Sequence, residues 1–300
     1  MRKLKRYLPM YIMAFPGIAY IIINNYVPMG GIILAFKDYN LRKGILKSPW
    51  AGLSNFQYLF KTQDAFIITR NTILYNVAFI IIGTVIAILT AVLLNEVIHK
   101  KVQKTYQTLI LLPYLISIIV VSYIVYAFLS METGLLNGVL QRLGHSPVLW
   151  YSERKFWPLI LTFVHTWKGF GYNSIVYYAV IVGIDANLYE AARVDGASKI
   201  QEITNITLPS LRPTIITLTI LAIGRIFYSD FGLFYQVPMD SGALYPVTNV
   251  IDTYVYRALF SLGDYGMSSA ASLYQSAVGF VLVVTANALV RKIDRENAMF

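Results

Sequence analysis

Long apolar runs separated by short polar interruptions dominate this chain. A helix needs about 20 mostly apolar residues to cross a bilayer. Six stretches qualify, predicting spans over residues 8–36, 72–95, 105–129, 157–184, 212–231 and 267–290. The first follows the basic segment MRKLKR, which looks like the start of a secretory signal. No small-residue cleavage site comes after it, and the apolar run continues past Tyr26 and Pro28, so a retained span is expected. No repeat, low-complexity tract or long linker sets off a soluble unit, so residues 1–300 are expected to form one transmembrane domain.

Composition supports an all-α membrane protein. Hydrophobic residues make up 57% and charged residues 13%, whereas a soluble domain carries about 25% charged residues. The mean hydropathy is +0.58. A net charge of +10 would suggest nucleic acid for a soluble protein, but here it reads as basic flanks on membrane helices. An even number of spans places both termini on one face, together with loops 96–104 and 185–211. These short segments hold Arg2, Lys3, Lys5, Arg6, Lys100, Lys101, Lys104, Arg193, Lys199, Arg291, Lys292 and Arg295. Loops 37–71, 130–156 and 232–266 are longer and less basic for their length, so the positive-inside rule predicts cytoplasmic termini and a cytoplasmic 185–211 loop. In the outer segment KSPWAGLSNFQYLF, Trp50, Phe56, Tyr58 and Phe60 suit a headgroup-level aromatic belt; a docking surface for an outside partner is the alternative.

Missing chemistry narrows the function. The chain has no cysteine, which excludes disulfides, thiolate catalysis and iron–sulfur ligation. His99, His145 and His165 lie far apart and lack metal-ligand spacing. No Gly-Lys dipeptide occurs, so there is no phosphate loop of the P-loop type. Coupled carriers usually bury carboxylates within their spans, yet Asp230, near the outer end of the fifth, is the only candidate. Paired acids, G-x-S-x-G and H-E-x-x-H are absent, and neither an enzyme nor a cofactor-binding chain is expected. A passive channel or membrane scaffold stays open; otherwise the energy for transport comes from another subunit.

The polar stretch LYEAARVDGASKIQEITNITLPS, Leu188 to Ser210, sits between two apolar runs. Asp185 is placed to cap a short helix over about 186–194. Gly196 suits a left-handed stop. Ser198 with Gln201 fits a capping box for a second helix over about 199–206. Pro209 and Pro213 are expected to limit unbroken continuation into the fifth span. The result is two short helices around a sharp corner. Leu188, Ala191 and Ala192 lie near one face with Glu190 beside them, and Ile200, Ile203 and Ile206 recur at helical spacing. That pattern serves equally a partner's groove or an interfacial elbow lying on the membrane.

Glu190-Ala191-Ala192, three residues, Gly196, nine residues, then Ile206-Thr207-Leu208-Pro209 resembles the "EAA" signature of membrane subunits of binding-protein-dependent ABC importers. YVPMGGIILAFKDYN (Tyr26 to Asn40), SPWAGLSNF (Ser48 to Phe56), LLNEV (Leu93 to Val97) and LLPY (Leu111 to Tyr114) are similar to its carbohydrate branch, in particular the polysaccharide-permease group related to the larger maltose-transporter membrane subunit. The resemblance covers nearly the whole chain. It implies a six-span type I importer permease that moves an oligosaccharide. The implied partners are a second homologous permease forming a heterodimer, two cytoplasmic ATPase subunits that carry ATP and magnesium, and an extracellular solute-binding protein. Another solute, such as a peptide or amino acid, is the alternative within transport. The 188–209 loop would be the coupling helix. There Glu190 would contact a cation of the ATPase, Ala191 and Ala192 would permit close packing, and Gly196 would hold the corner; Ile206, Leu208 and Pro209 complete the motif.

For the substrate pathway, FVHTWKGFGYNSIVYY in the fourth span offers Trp167, Lys168, Tyr172 and Asn173, and the fifth span adds Arg225, Tyr228 and Asp230. Flat apolar faces beside polar groups suit sugars. The structural alternative has Lys168 and Arg225 satisfying carbonyls, meeting the partner permease or snorkelling. Arg225 and Asp230 are five residues apart, which leaves a same-helix pair undecided. Gly169 and Gly171 are expected to loosen the fourth helix, and Asn24, Asn25 and Asn76 to form interhelical hydrogen bonds.

Overall fold

The computed structural model describes the backbone of residues 2–293 and the side chains of residues 7–292 other than Tyr58. The belt expectation for Tyr58 and the charge expectations for Arg2, Lys3, Lys5, Arg6 and Arg295 fall outside these described positions. Among the described residues there is no β-strand; one antiparallel bridge joins Lys37 to Trp50. The chain divides into two units, the N-terminal segment through Ala65 with Tyr254–Tyr274, and Phe66–Thr253 with the segment from Gln275 onward.

The first unit begins with α1 (Arg2–Ile21), which tolerates Pro9 and Pro16 and passes through a π-turn at Ile22–Tyr26 into the 3-10 segment Gly30–Phe36. Asn24 spends its amide on the Tyr20 carbonyl one turn back, 3.0 Å away, so it braces its own helix rather than a neighbour. The loop after Phe36 is organised by a buried cation. Lys37 Nζ donates to the carbonyls of Ile45, Leu46 and Ser48 at 2.8, 2.9 and 3.2 Å. α2 (Ser54–Lys61) supplies Asn55, whose amide donates to the Ala35 and Lys37 carbonyls. The family-like segments at 26–40 and 48–56 thus contain the two side chains that close one loop, an arrangement in which otherwise orphaned backbone acceptors find donors.

The second unit holds most of α3 (Gln63–Asn95), α4 (Lys100–Leu115), α5 (Ile118–Leu129), α6 (Leu135–Arg142) and α7 (Trp157–Val182). After these come α8 (Ala186–Val194), α9 (Lys199–Glu202), α10 (Leu208–Gly224), α11 (Phe231–Gln236), α12 (Ile251–Phe260) and α13 (Tyr265–Ile293); the last two belong only partly to this unit. Its core gathers Tyr75, Phe79, Val121, Trp157, Leu161 and Phe234 from α3, α5, α7 and α11. Among the described residues, four helical runs are long and apolar enough to cross a membrane: Tyr7–Phe36, Gln63–Asn95, Lys199–Gly224 and Tyr265–Lys292. Two bent pairs reach the same test together, Lys100–Leu115 with Ile118–Leu129 and Arg154–Val182 with Ala186–Val194.

The structure departs from the expected spans at four points. The run over 105–129 is not one helix: α4 and α5 meet at 92°. Ser117 caps α5 by accepting from Val120 N, and Lys168 Nζ takes carbonyls of the last α4 turn, at 2.9 Å from Tyr114 O and 2.7 Å from Ile116 O. The expected span 212–231 ends at Gly224, and at Arg225 the chain leaves the helix (φ −109°, ψ 9°). At its other end the proline stop does not occur. A π-turn over Ile203–Thr207 joins α9 to α10, with Leu208 N donating to Ile203 O, and the helical run passes through Pro209 without a stop. Finally, Gly169 and Gly171 do not loosen α7, which is continuous. Gly171 instead admits the α4 backbone, because a Cβ there would overlap the Ile110 carbonyl.

Candidate functional site

Two places combine the sequence-singled residues with shape: the polar elbow before α10 and a cavity between α3, α7 and α10. In the elbow, Asp185 accepts from Asn187 N at 3.0 Å and caps α8. Gly196 has φ +80°, and the N–H groups of Gly196 and Ala197 return to Arg193 O and Ala192 O. Ser198 and Gln201 form the reciprocal capping box that opens α9. Tyr189 Oη lies 2.9 Å from Thr207 Oγ1 and ties α8 to the π-turn.

The elbow's main fastening was not anticipated. Glu202 is buried and bridges Arg193 Nε at 2.7 Å and Lys199 Nζ at 3.1 Å, and Lys199 reaches Glu96 at the end of α3 at 3.1 Å. Hydrogen bonds from Arg193 and Lys199 thus share the Glu202 carboxylate. These groups precede the apolar part of α10. Glu96 stands in the family-like LLNEV segment, yet it was read there only as part of a motif. The available signal was one of charge: two acids and two bases in adjacent polar loops.

The motif residues are distributed around this knot. Glu190, Ala191, Gly196, Leu208 and Pro209 are exposed, while Ala192 and Ile206 are half-buried. Around them stand Leu188, Val194 and Ile200, which are 52%, 88% and 73% exposed. Such a rim is apolar, rigidly held and uncovered in the isolated chain.

The cavity is about 300 Å3 in volume. Asn76 and Phe79 from α3, His165, Thr166 and Asn173 from α7, and Arg225 with Tyr228 just beyond α10 contribute to its wall. Phe79 stacks on His165 with centroids 3.8 Å apart. Side chains from α3 and α13 satisfy the unwound stretch after Gly224. Asn76 Nδ2 donates to Ile226 O at 2.9 Å and Tyr228 O at 3.3 Å, and Gln275 Nε2 donates to Phe227 O at 2.6 Å. Ser229 N donates to Asp252, whose carboxyl is raised by burial. Asn76 was expected to join helices; it bonds instead from α3 to the unwound stretch after α10, and it also lines the cavity.

Of the seven pathway candidates, Asn173, Arg225 and Tyr228 meet at this cavity. The other four are elsewhere. Lys168 braces the end of α4, also reaching Pro113 O at 3.5 Å. Trp167 packs against the core cluster, and Tyr172 stacks on Tyr114 with centroids 4.9 Å apart. Asp230 accepts from Leu233 N at 3.1 Å as the cap of α11. Because the helix ends at Gly224, Arg225 and Asp230 are not on one helical face. His165 and Thr166 were not singled out as lining residues; they sit among apolar neighbours, and periodicity alone does not separate a cavity wall from a helix contact.

Apolar helices long enough to cross a membrane, an exposed polar elbow and a cavity among α3, α7 and α10 are the features of a membrane permease. The chain belongs to the family described as the binding-protein-dependent transport system inner membrane component, which it matches over residues 83–295. It is thus a multi-pass inner-membrane permease component of ABC importers. It is 33% identical to Protein LplB of Bacillus subtilis (strain 168), covering 99% of this chain and 93% of that protein. It is 35% identical to the polygalacturonan/rhamnogalacturonan transport system permease protein YteP of the same organism, covering 96% of this chain and 89% of YteP. A chain in the crystal structure of a bacterial ABC transporter that imports the acidic polysaccharide alginate superimposes with a TM-score of 0.89 at 34% identity, covering 98% of both chains.

Proposed function

We propose that this chain is the permease subunit of an ATP-driven importer for oligosaccharides. It works with a second homologous permease as a heterodimer, two cytoplasmic ATPase subunits and an extracellular solute-binding protein. ATP and magnesium reside on the ATPases. Both termini and the 185–211 elbow face the cytoplasm, in keeping with the concentration of Lys and Arg in those short segments.

The observation that carries this reading is the elbow: an exposed rim of Leu188, Val194 and Ile200 on a corner that is ionically tied to α3. A small apolar face docks in a partner's groove, and a stiff mount passes that partner's displacement to the helices. Glu190 is exposed beside the rim and available to a cation of the ATPase. Ala191 and Ala192 let the two backbones approach, Gly196 sets the corner, and Ile206, Leu208 and Pro209 carry the elbow into α10. The oligosaccharide reading draws support from the sugar-transport names of the relatives and from the cavity, where Asn173, Arg225 and Tyr228 stand beside aromatic faces.

The test is reconstitution of the complete importer into vesicles with an Ala191→Cys variant. We expect crosslinking of Cys at 191 to an ATPase subunit, labelling only from the ATPase side, and sugar accumulation that requires ATP. Accumulation without ATPase subunits, or labelling from the binding-protein side, would overturn the assignment.

A further inference from the structure

The loop after the first apolar run is folded around one buried cation. Lys37 comes directly after Tyr7–Phe36, a run long enough to cross a membrane. Its Nζ donates to the carbonyls of Ile45, Leu46 and Ser48 and lies 5.0 Å from the centroid of the Trp50 ring. The backbone bridge between Lys37 and Trp50, with Ala51 N donating to Phe36 O, closes the loop on the end of that run. Ser48, also buried, accepts from Asn40 N at 3.0 Å. The loop thus holds its shape with its own donors and acceptors.

What this frame presents outward is both apolar and cationic. Leu41, Leu46 and Trp50 are 71%, 86% and 68% exposed. Arg42, Lys43 and Lys47 alternate with them, are exposed, and make no side-chain ion pair among the described residues. From Tyr39 to Gln63 the sequence carries these cations and Lys61 but no Asp or Glu.

An aromatic belt at headgroup level needs no charge, and a basic loop in water needs no exposed leucine. Apolar side chains interleaved with Lys and Arg mark segments that lie in a membrane interface, with apolar atoms among the acyl chains and cations at the headgroups. Position agrees, because the loop is fastened to the end of a spanning run and so starts at headgroup depth. A docking surface for a folded protein would carry fewer lysines, which are depleted at such interfaces.

We propose that the 38–53 loop is an anchor for anionic lipid: Leu46 and Trp50 enter the leaflet, and Arg42, Lys43 and Lys47 hold anionic headgroups. Lys37 ties that grip to the end of the first span. The side of the membrane on which this happens rests on the cytoplasmic placement of the termini proposed above.

The chain has no cysteine, so Leu46→Cys gives it a single site for an environment-sensitive fluorophore. The complete importer with this labelled chain is placed in vesicles holding phosphatidylglycerol or phosphatidylcholine with a nitroxide on the acyl chain, at equal mole fraction. We expect both lipids to quench the label, phosphatidylglycerol at least about threefold more, since one cation near an anionic surface is worth about fivefold in lipid occupancy. Arg42→Gln, Lys43→Gln and Lys47→Gln together should bring the two lipids level and leave the label in the bilayer. All three positions are exposed, so this variant should assemble at normal yield. Equal quenching by the two lipids in the unaltered loop would overturn the anionic preference. A label that neither lipid quenches and aqueous iodide reaches would overturn the anchor altogether. Shielding from iodide that appears only when loaded binding protein is added would make the loop that protein's docking surface and sink the lipid assignment. Labelling of Ala191→Cys in the same vesicles reads orientation separately. Should position 191 react from the binding-protein side while lipid still quenches at 46, the anchor stands and the proposed topology falls.

Discussion

The elbow over 186–207 and the breaks inside the bundle, at 113–117 and 225–229, all interrupt helices, yet they are finished by different means. The elbow is closed by neighbours in sequence. Asp185 caps α8, Gly196 turns left-handed, Ser198 and Gln201 cap α9, and the charge knot joins Arg193, Lys199 and Glu202 within ten positions, with Glu96 as its one distant member. The inner breaks are closed by side chains far along the chain. Lys168 serves carbonyls at Pro113, Tyr114 and Ile116, and Asn76 and Gln275 serve Ile226, Tyr228 and Phe227. The difference follows from solvent. A polar corner facing water can leave its rim unsatisfied by protein, whereas irregular backbone within the bundle needs a donor for each freed carbonyl. Cations are accordingly used in two ways: paired with carboxylates at the elbow, and spent on backbone carbonyls inside.

The sharpest way to break this contrast is Gly171→Leu. A side chain there meets the α4 backbone at Ile110, so no rotamer relieves the clash. We expect little or no folded protein in the membrane, read by detergent-solubilised yield on size exclusion; a normal yield would mean α4 and α7 do not pack as described. Next is Lys168→Met, which keeps the apolar stem and removes the donor from the α4 carbonyls. A loss of about 2–3 kcal/mol is expected from the orphaned acceptors, measured as lowered thermal stability of the complex. An unchanged melt would show the bend to be set by Ser117 alone.

Gly196→Val should act on coupling rather than assembly. A Cβ at Gly196 meets nothing, so the cost is conformational, at least about 1–2 kcal/mol for a left-handed residue. The protein should reach the membrane with ATPase activity uncoupled from uptake, and normal uptake would refute its role in the corner. Glu202→Gln should produce a weaker form of the same defect. It conserves size while loosening the elbow from Arg193 and Lys199, so uptake per ATP should fall a few-fold at unchanged protein level. Equal coupling would mean the elbow transmits motion without its ionic fastening. The smallest effect is expected for Glu190→Gln, whose exposed carboxylate makes no hydrogen bond or ion pair among the described residues. Thermal stability should stay constant while the affinity for the ATPase subunits drops modestly; a stability change would reveal an internal role.

Legibility in the sequence follows the same division. The α8 boundaries, the left-handed glycine and the capping box were read correctly because each depends on residues within one or two turns. The second helix was misread only where a π-turn carried it through Pro209, since a widened turn leaves no compositional trace. For the cavity, Asn173, Arg225 and Tyr228 were picked out by residue type, while Lys168, named beside them, meets the carbonyls that its structural alternative called for. An intramembrane cation announces that something polar must meet it, and residue type does not say whether that is a substrate or a carbonyl.

By itself, then, the sequence determined the class of this protein. Apolar run length, basic flanks, the missing phosphate loop and the spacing from Glu190 to Pro209 each follow from local composition or contiguous motif. Only the tertiary structure decided that α4 and α5 bend by 92°, that α10 stops at Gly224, and that Arg225 faces a cavity while Lys168 does not. The reason is that these outcomes depend on which freed backbone carbonyls find donors, and those donors arrive from helices tens to hundreds of residues away.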